Sequence, residues 1–142
     1  MRVLAPALAV SLVACRAGTD PNLVDISGHW EFTEILEDRV HGFSCADTGS
    51  YEIAQQGDAF VGRYGQRGVC QTPGGPVDNA DSGIVESGRV LGHTIRFTVT
   101  TVCQYDGSAS GVPTAALAGH GFCAIHDANR TINLAGSWQA TR

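Results

Sequence analysis

Residues 51–64 read YEIAQQGDAFVGRY, and the reading of this stretch decides the fold. YEIAQ and AFVGRY flank Gln56-Gly57-Asp58, and a Gly-Asp pair between two strand-like runs is the sequence signature of a β-hairpin. A turn centred between Gly57 and Asp58 sets residue i opposite residue 115 − i, which brings Cys45 opposite Cys70. One short turn therefore predicts a register and a disulfide.

The same reading extends in both directions. HTIRFTVTTVC at 93–103 reads as a strand with Ile95, Phe97, Val99, Thr101 and Cys103 on one face, leaving Arg96, Thr98 and Thr100 on the other, with Arg96 toward solvent. TINLAGSWQATR at 131–142 places Ile132, Leu134, Trp138 and Ala140 on one face, with Gly136 as a gap where the strand can bend closely. Near the start, Trp30 and Phe32 alternate with Glu31 and Thr33, but Glu34-Ile35 breaks the alternation and predicts a β-bulge. TPGGP at 72–76 separates the first hairpin from a strand near 80–90, which Leu91-Gly92 turns into the next. Pairing arithmetic for Cys103 and Cys123 centres on Pro113, inside the polar loop YDGSASGVP, and predicts a second bridge. With eighteen glycines and no helix-length periodicity, residues 27–142 are expected to be all-β. The expected architecture is an antiparallel up-and-down meander of about eight strands closing into a small barrel with two disulfides.

The whole chain of 142 residues, 43% hydrophobic, suits one globular domain. Its nine basic residues, all arginine, face fourteen acidic ones, and a net charge of −5 supplies no counterion-release drive toward nucleic acid. Nucleic acid is therefore not an expected partner.

The N-terminus, MRVLAPALAVSLVAC, carries one charge at Arg2 and then an apolar run over 3–14, short of the ~20 residues a spanning helix needs. Its end, Leu12-Val13-Ala14-Cys15, resembles the lipobox of bacterial lipoproteins. That resemblance implies a signal peptide at 1–14, a lipidated Cys15, and residues 15–26 as the lipidated cysteine and tether. It also implies a membrane partner held through the lipid and an extracytoplasmic place in the bacterial cell envelope. Arg16 after the cysteine, rather than aspartate, favours the outer membrane where the host has one. The other reading is an ordinary secretory signal cleaved nearby. Cysteine parity supports the anchor: five is odd, and setting Cys15 aside leaves Cys45, Cys70, Cys103 and Cys123 as an even set.

Gly28-His29-Trp30 opening the first strand is similar to the Gly-x-Trp strand that begins lipocalin-like and avidin-like barrels, and Gly62-Arg63-Tyr64 looks like the Gly-x-Tyr strand of avidin-like ones. The resemblance implies the architecture alone.

Chemical motifs are sparse. There is no Gly-x-Ser-x-Gly elbow, His-Glu-x-x-His or Walker loop, and GHGFCA at 119–124 fits Gly-x-Gly-x-x-Ala only formally, within a predicted strand. Asn129-Arg130-Thr131, formally a glycosylation site, reads as part of a turn. His120-Gly-Phe-Cys123 offers half a zinc site, so no metal and no cofactor is expected. His93, His120, His126 and Asp127 would make an acid-base site only if the fold gathered them, and no catalytic residue is expected. Trp30, Phe32, Phe97 and Trp138 read as core, while Tyr51, Tyr64 and Tyr105 could lend polar edges to a ligand site in a cup open at one end. The function these features favour is a non-catalytic, lipid-anchored envelope protein. It would bind a small apolar ligand or a protein partner at the open end of the barrel or through the loops 72–79 and 105–117. The alternatives are an inhibitor of an extracellular protease, using 107–117, and an enzyme with its site in the barrel mouth.

Overall fold

A computed structural model describes residues 22–100, 102–127 and 129–142. The expected lipidation site Cys15 and the signal peptide lie outside the described residues. The strands are β1 (Gly28–Asp38), β2 (Phe43–Gln56), β3 (Ala59–Thr72), β4 (Gly75–Leu91), β5 (Thr94–Val99), β6 (Cys103–Ser110), β7 (Ala116–Asp127) and β8 (Arg130–Thr141). Each pairs antiparallel with the next and β8 returns to β1, so the meander closes into a barrel with no free edge. The β2–β3 register follows the 115 − i rule from Ser44 opposite Gln71 to Gln56 opposite Ala59. Gly57 takes the positive φ of 62° that this tight turn requires. Both predicted bridges, Cys45–Cys70 and Cys103–Cys123, are formed between directly opposed residues.

Alternation fills the interior. Trp30, Phe32, Tyr51, Phe60, Phe97 and Trp138 all point inward, and Phe32 stacks on Tyr51 with centroids 4.4 Å apart. The outward positions of β8 are mostly polar, Asn133, Ser137 and Gln139 among them, while Ile35, Val61, Ile84 and Phe122 are exposed on the outer wall of other strands. Gly136 is the expected gap: a Cβ there would collide with the Ile35 carbonyl of the neighbouring strand.

One end of the barrel is sealed. Residues 22–27 lie across it, with Ile26 fully buried and the Trp30 indole donating to the Ile26 carbonyl at 2.8 Å. The Gln55 amide clamps the segment from the side, accepting from the Ile26 N–H at 2.8 Å and donating to the Val24 carbonyl at 3.0 Å. Arg142 donates to the Asp25 and Ser27 carbonyls while lying 4.5 Å above the Trp30 ring. The last residues of the expected tether are therefore a plug, because Leu23, Val24 and Ile26 bury their side chains on the core instead of trailing in water.

Three expectations need correction. No bulge exists at Glu34-Ile35: β1 keeps unbroken register with β2 from Gly28 to Asp38, with Glu34 inward at 3% exposure and Ile35 outward at 55%. The irregularities fall instead at Phe60/Gly62 and Glu86/Arg89. The stretch 93–103 is not one strand, since β5 ends at Val99 and Thr100, at φ 47°, turns the chain before Cys103 opens β6. Thr101 lies outside the described residues. Finally, the loops 72–79 and 105–117 are mostly strand, leaving a turn at Pro73-Gly74 and a connection over 111–115. Small residues that read as loop leave room for rings instead: a Cβ on Gly121 would meet the Tyr105 ring at 2.7 Å, and one on Gly107 would meet Trp138 at 3.1 Å.

Candidate functional site

The end opposite the plug is open, and a cavity of about 150 Å³ sits in its mouth. Its walls are the two disulfides with Leu36 and Leu134, which form a small apolar cluster separate from the main core. Its floor is polar. Strand alternation puts Glu34 on the inward face of β1 two residues below Leu36, and Asp47 on that of β2 two residues below Cys45. Tyr64, Asp81 and Tyr105 come in from β3, β4 and β6.

The polar groups are paired in a definite pattern. Tyr105 donates its hydroxyl to Glu34 Oε2 at 2.9 Å, and the Asn79 amide nitrogen donates to both Asp47 oxygens at 3.0 and 2.9 Å. Tyr64 donates to Asp81 Oδ2 at 2.6 Å and lies 3.4 Å from the Thr100 hydroxyl. Thr100 is a β-branched residue held at positive φ, a strained backbone at the rim of the cavity.

Burial controls the charge here. Glu34 is pushed up to about 7, chiefly by desolvation and further by the Asp47 carboxylate, against the opposing hydrogen bond from Tyr105. Asp47 is raised by burial, with the Asn79 amide working the other way. Tyr64 is pushed up to about 12 by burial and by its bond to Asp81, and Tyr105 and Tyr51 are raised by burial and then by the charge of Glu34.

This predicts a pH-dependent stability. The folded pKa of Glu34 lies above its ordinary value of 4.5, so the unfolded chain gives up the proton first as pH rises. Stability should fall between those two values, by about 3 kcal/mol, and level off above neutrality. Asp47 adds in the same direction. Asp38, drawn down to about 2 by its bond to His41, acts oppositely and only in acid below its ordinary value of 3.8. Urea midpoints at about pH 5 and about pH 8 check this, with Glu34→Gln expected to flatten the difference and to be the more stable protein at the higher pH.

Of the residues named from sequence, Tyr64 and Tyr105 line the cavity and Tyr51 lies one layer deeper, stacked on Phe32. The four bridging cysteines lie at its wall. His93, His120 and His126 are exposed on a turn and on the outer face of β7, so the fold does not gather them. His126 instead meets the Thr131 hydroxyl at 3.0 Å. Among the described residues, no group of three or more His, Cys, Asp or Glu is placed to hold a metal ion. A larger groove of about 710 Å³ runs along the outer wall past Thr33, Ile35, His120 and Ser137. It is open to solvent, whereas the mouth is walled and brings several buried polar groups together, as binding sites do.

Glu34, Asp47, Asn79 and Asp81 were not read from sequence as site residues. Asp47 was within reach, because it shares strand parity with Cys45, whose bridge fixes that face as inward. No protein-family model matches the chain, and no curated protein matches it.

Proposed function

We propose that this chain is a non-catalytic ligand-binding module of the bacterial cell envelope, tethered by lipid on Cys15, with its site in the disulfide-walled mouth of the barrel. One observation carries the reading: the barrel is plugged at one end, while at the other a 150 Å³ cup exposes buried polar groups inside an apolar wall. A cavity of about that volume admits a molecule of benzene's size. The chain enters the barrel at the plugged end, so an anchor upstream of Asn22 leaves the mouth facing away from the bilayer. The hydroxyls bonded to carboxylates in the cup are the phenols of Tyr64 and Tyr105, both pushed up by burial, and no histidine is gathered there among the described residues, which favours binding over turnover. The protease-inhibitor reading loses support, because most of the segment it needs is paired strand.

A thermal-shift screen of small metabolites tests the cup. Ligands should stabilise the wild-type protein and fail to stabilise Gln66→Trp, whose indole would occupy the cavity from a half-buried lining position. Equal shifts in both proteins would move the site elsewhere. The anchor is tested separately by fractionation: Cys15→Ala should pass from the membrane to the soluble fraction, and its retention in the membrane would refute the lipid.

A further inference from the structure

We infer that the mouth takes a small organic cation, a primary ammonium on a short apolar body, and that this ligand enters in exchange for the proton on Glu34. The inference rests on the cup reading above and names its ligand class.

Hydrogen-bond accounting carries it. The Tyr105 hydroxyl is committed to Glu34, the Tyr64 hydroxyl to Asp81, and the Asn79 amide to both oxygens of Asp47. The lining side chains thus spend most of their donors on one another, and among the described residues the Gln66 amide and the Thr100 hydroxyl, 3.4 Å from Tyr64, are the remaining donors. Acceptors are in surplus. Glu34 is 3% exposed, yet its Oε1 has no hydrogen-bond partner among the described residues. Among the described residues no fully buried side-chain oxygen lacks a partner, so Oε1 opens onto the cavity that Glu34 lines. Tyr51, 2% exposed, adds a hydroxyl with no partner among the described residues, able to donate or to accept, within electrostatic reach of Glu34 and Tyr64. Once Glu34 gives up its proton, its free oxygen is an acceptor, and an occupant that brings donors to the floor of the cup satisfies it.

Charge selects among donors. Facing Glu34 are Asp47 and Tyr51 from β2, Tyr64 from β3, Asp81 from β4 and Tyr105 from β6. β5, β7 and β8 present Val99, the bridged Cys123 and Leu134 there, none of which titrates. Among the described residues every titrating neighbour is acidic or phenolic and no lining side chain is basic, so a cation is favoured over a neutral donor. The apolar walls suit a hydrocarbon body above the ammonium. In the exchange the O–H of protonated Glu34 breaks, its proton leaves to solvent, and the ammonium N–H groups bond the resulting carboxylate. One positive charge departs as one arrives. Burial holds Glu34 at about 7, so the exchange is readable near neutral pH.

Calorimetric titration of the purified protein with cyclohexylammonium, and with cyclohexanol as its neutral counterpart, tests this in buffers of different ionisation heat. Proton release should be ~0.9 per ligand at about pH 6 and ~0.1 at about pH 8, while affinity rises roughly tenfold between them. Glu34→Gln should abolish the release and lower ammonium affinity about ten- to hundredfold at the higher pH. Near-UV circular dichroism shows whether that variant keeps its core, and the proton count on the wild-type protein does not depend on it. Cyclohexanol binding as tightly as the ammonium, or ammonium binding without proton release at about pH 6, overturns the cation inference and leaves the cup. Binding of neither compound overturns it as well. The cup itself falls only if metabolite shifts also survive Gln66→Trp.

Discussion

Reducing both disulfides is expected to unfold the barrel at about 37 °C. Cys45–Cys70 spans 25 residues and Cys103–Cys123 spans 20. Each closes a loop worth roughly 3 kcal/mol through the entropy of the unfolded chain. The two loops do not overlap in sequence, so the entropic contributions add to about 6 kcal/mol, a large share of the ~5–15 kcal/mol that holds a domain of this size. A second effect acts in the folded state. Cys45 and Cys123 are buried against Leu36, Leu134 and Ile132 in a small cluster that meets the main core at Cys103, so the bridges are also much of what keeps the mouth in shape. Because they share that cluster, removing one should weaken the packing around the other, and the paired serine variants should not add simply. Cys70 and Cys103 are only half-buried, which gives a reductant access without prior unfolding. Thermal unfolding with and without a phosphine reductant measures the effect, with a drop of roughly 20 °C or more in Tm expected. A reduced protein melting within a few degrees of the oxidised one would mean that the β-ladders alone hold the barrel.

Why the sequence yields the barrel more readily than its site follows from the same alternation. The hairpin register was legible at Gly57-Asp58 because a two-residue turn leaves one pairing, and that pairing then carried Cys45 to Cys70 with no further assumption. The inward faces of β5 and β8 were legible because Ile95, Phe97 and Val99, and likewise Leu134 and Trp138, repeat at period two. Glu34 was misread because it breaks that period. A buried carboxylate costs free energy that a bulge would avoid, so the strand rules favoured a bulge. The structure keeps the strand and accepts the charge, and rule-breaking of this kind concentrates at functional positions. Asn79 and Asp81 were out of reach for a different reason. Asn79 lies on the far arm of the β3–β4 hairpin in the stretch 72–79, whose loop-like composition hid the start of the strand, and Asp81 lies in the expected strand near 80–90 but beside no apolar alternation that would mark its face. The plug was hidden too, because Leu23, Val24 and Ile26 show no periodicity of their own and find their partners only on the closed barrel.

Trp138→Ala should cost about 3–5 kcal/mol and should also alter the floor of the cup. The indole sits at the centre of the ring cluster, edge-on to Phe97 at 5.6 Å, Tyr105 at 6.0 Å and Tyr51 at 6.4 Å. Its N–H is shared between the Asp106 and His120 carbonyls at 3.3 and 3.2 Å, tying β8 to β6 and β7. Truncation leaves a void that the wall cannot collapse to fill, because Gly107 and Gly121 have already drawn the backbone close to the rings. Trp138→Phe restores most of the volume but not the donor, and should cost about 1–3 kcal/mol. Trp30→Ala, at the plugged end, should cost as much as Trp138→Ala by volume while leaving the mouth unchanged, since Trp30 bonds the Ile26 carbonyl rather than supporting Tyr105. The two tryptophans therefore separate stability from site. With Trp138 gone, Tyr105 loses part of its packing, water reaches Glu34, and the pKa now held at about 7 should relax toward its ordinary value of 4.5. Urea titrations across pH read both effects at once: Trp138→Ala should lower the curve and flatten its fall toward neutrality, whereas Trp30→Ala should lower it and keep the fall. A Trp138→Ala protein that keeps the full pH dependence would show that Glu34 is dried by the mouth rather than by the aromatic floor beneath it.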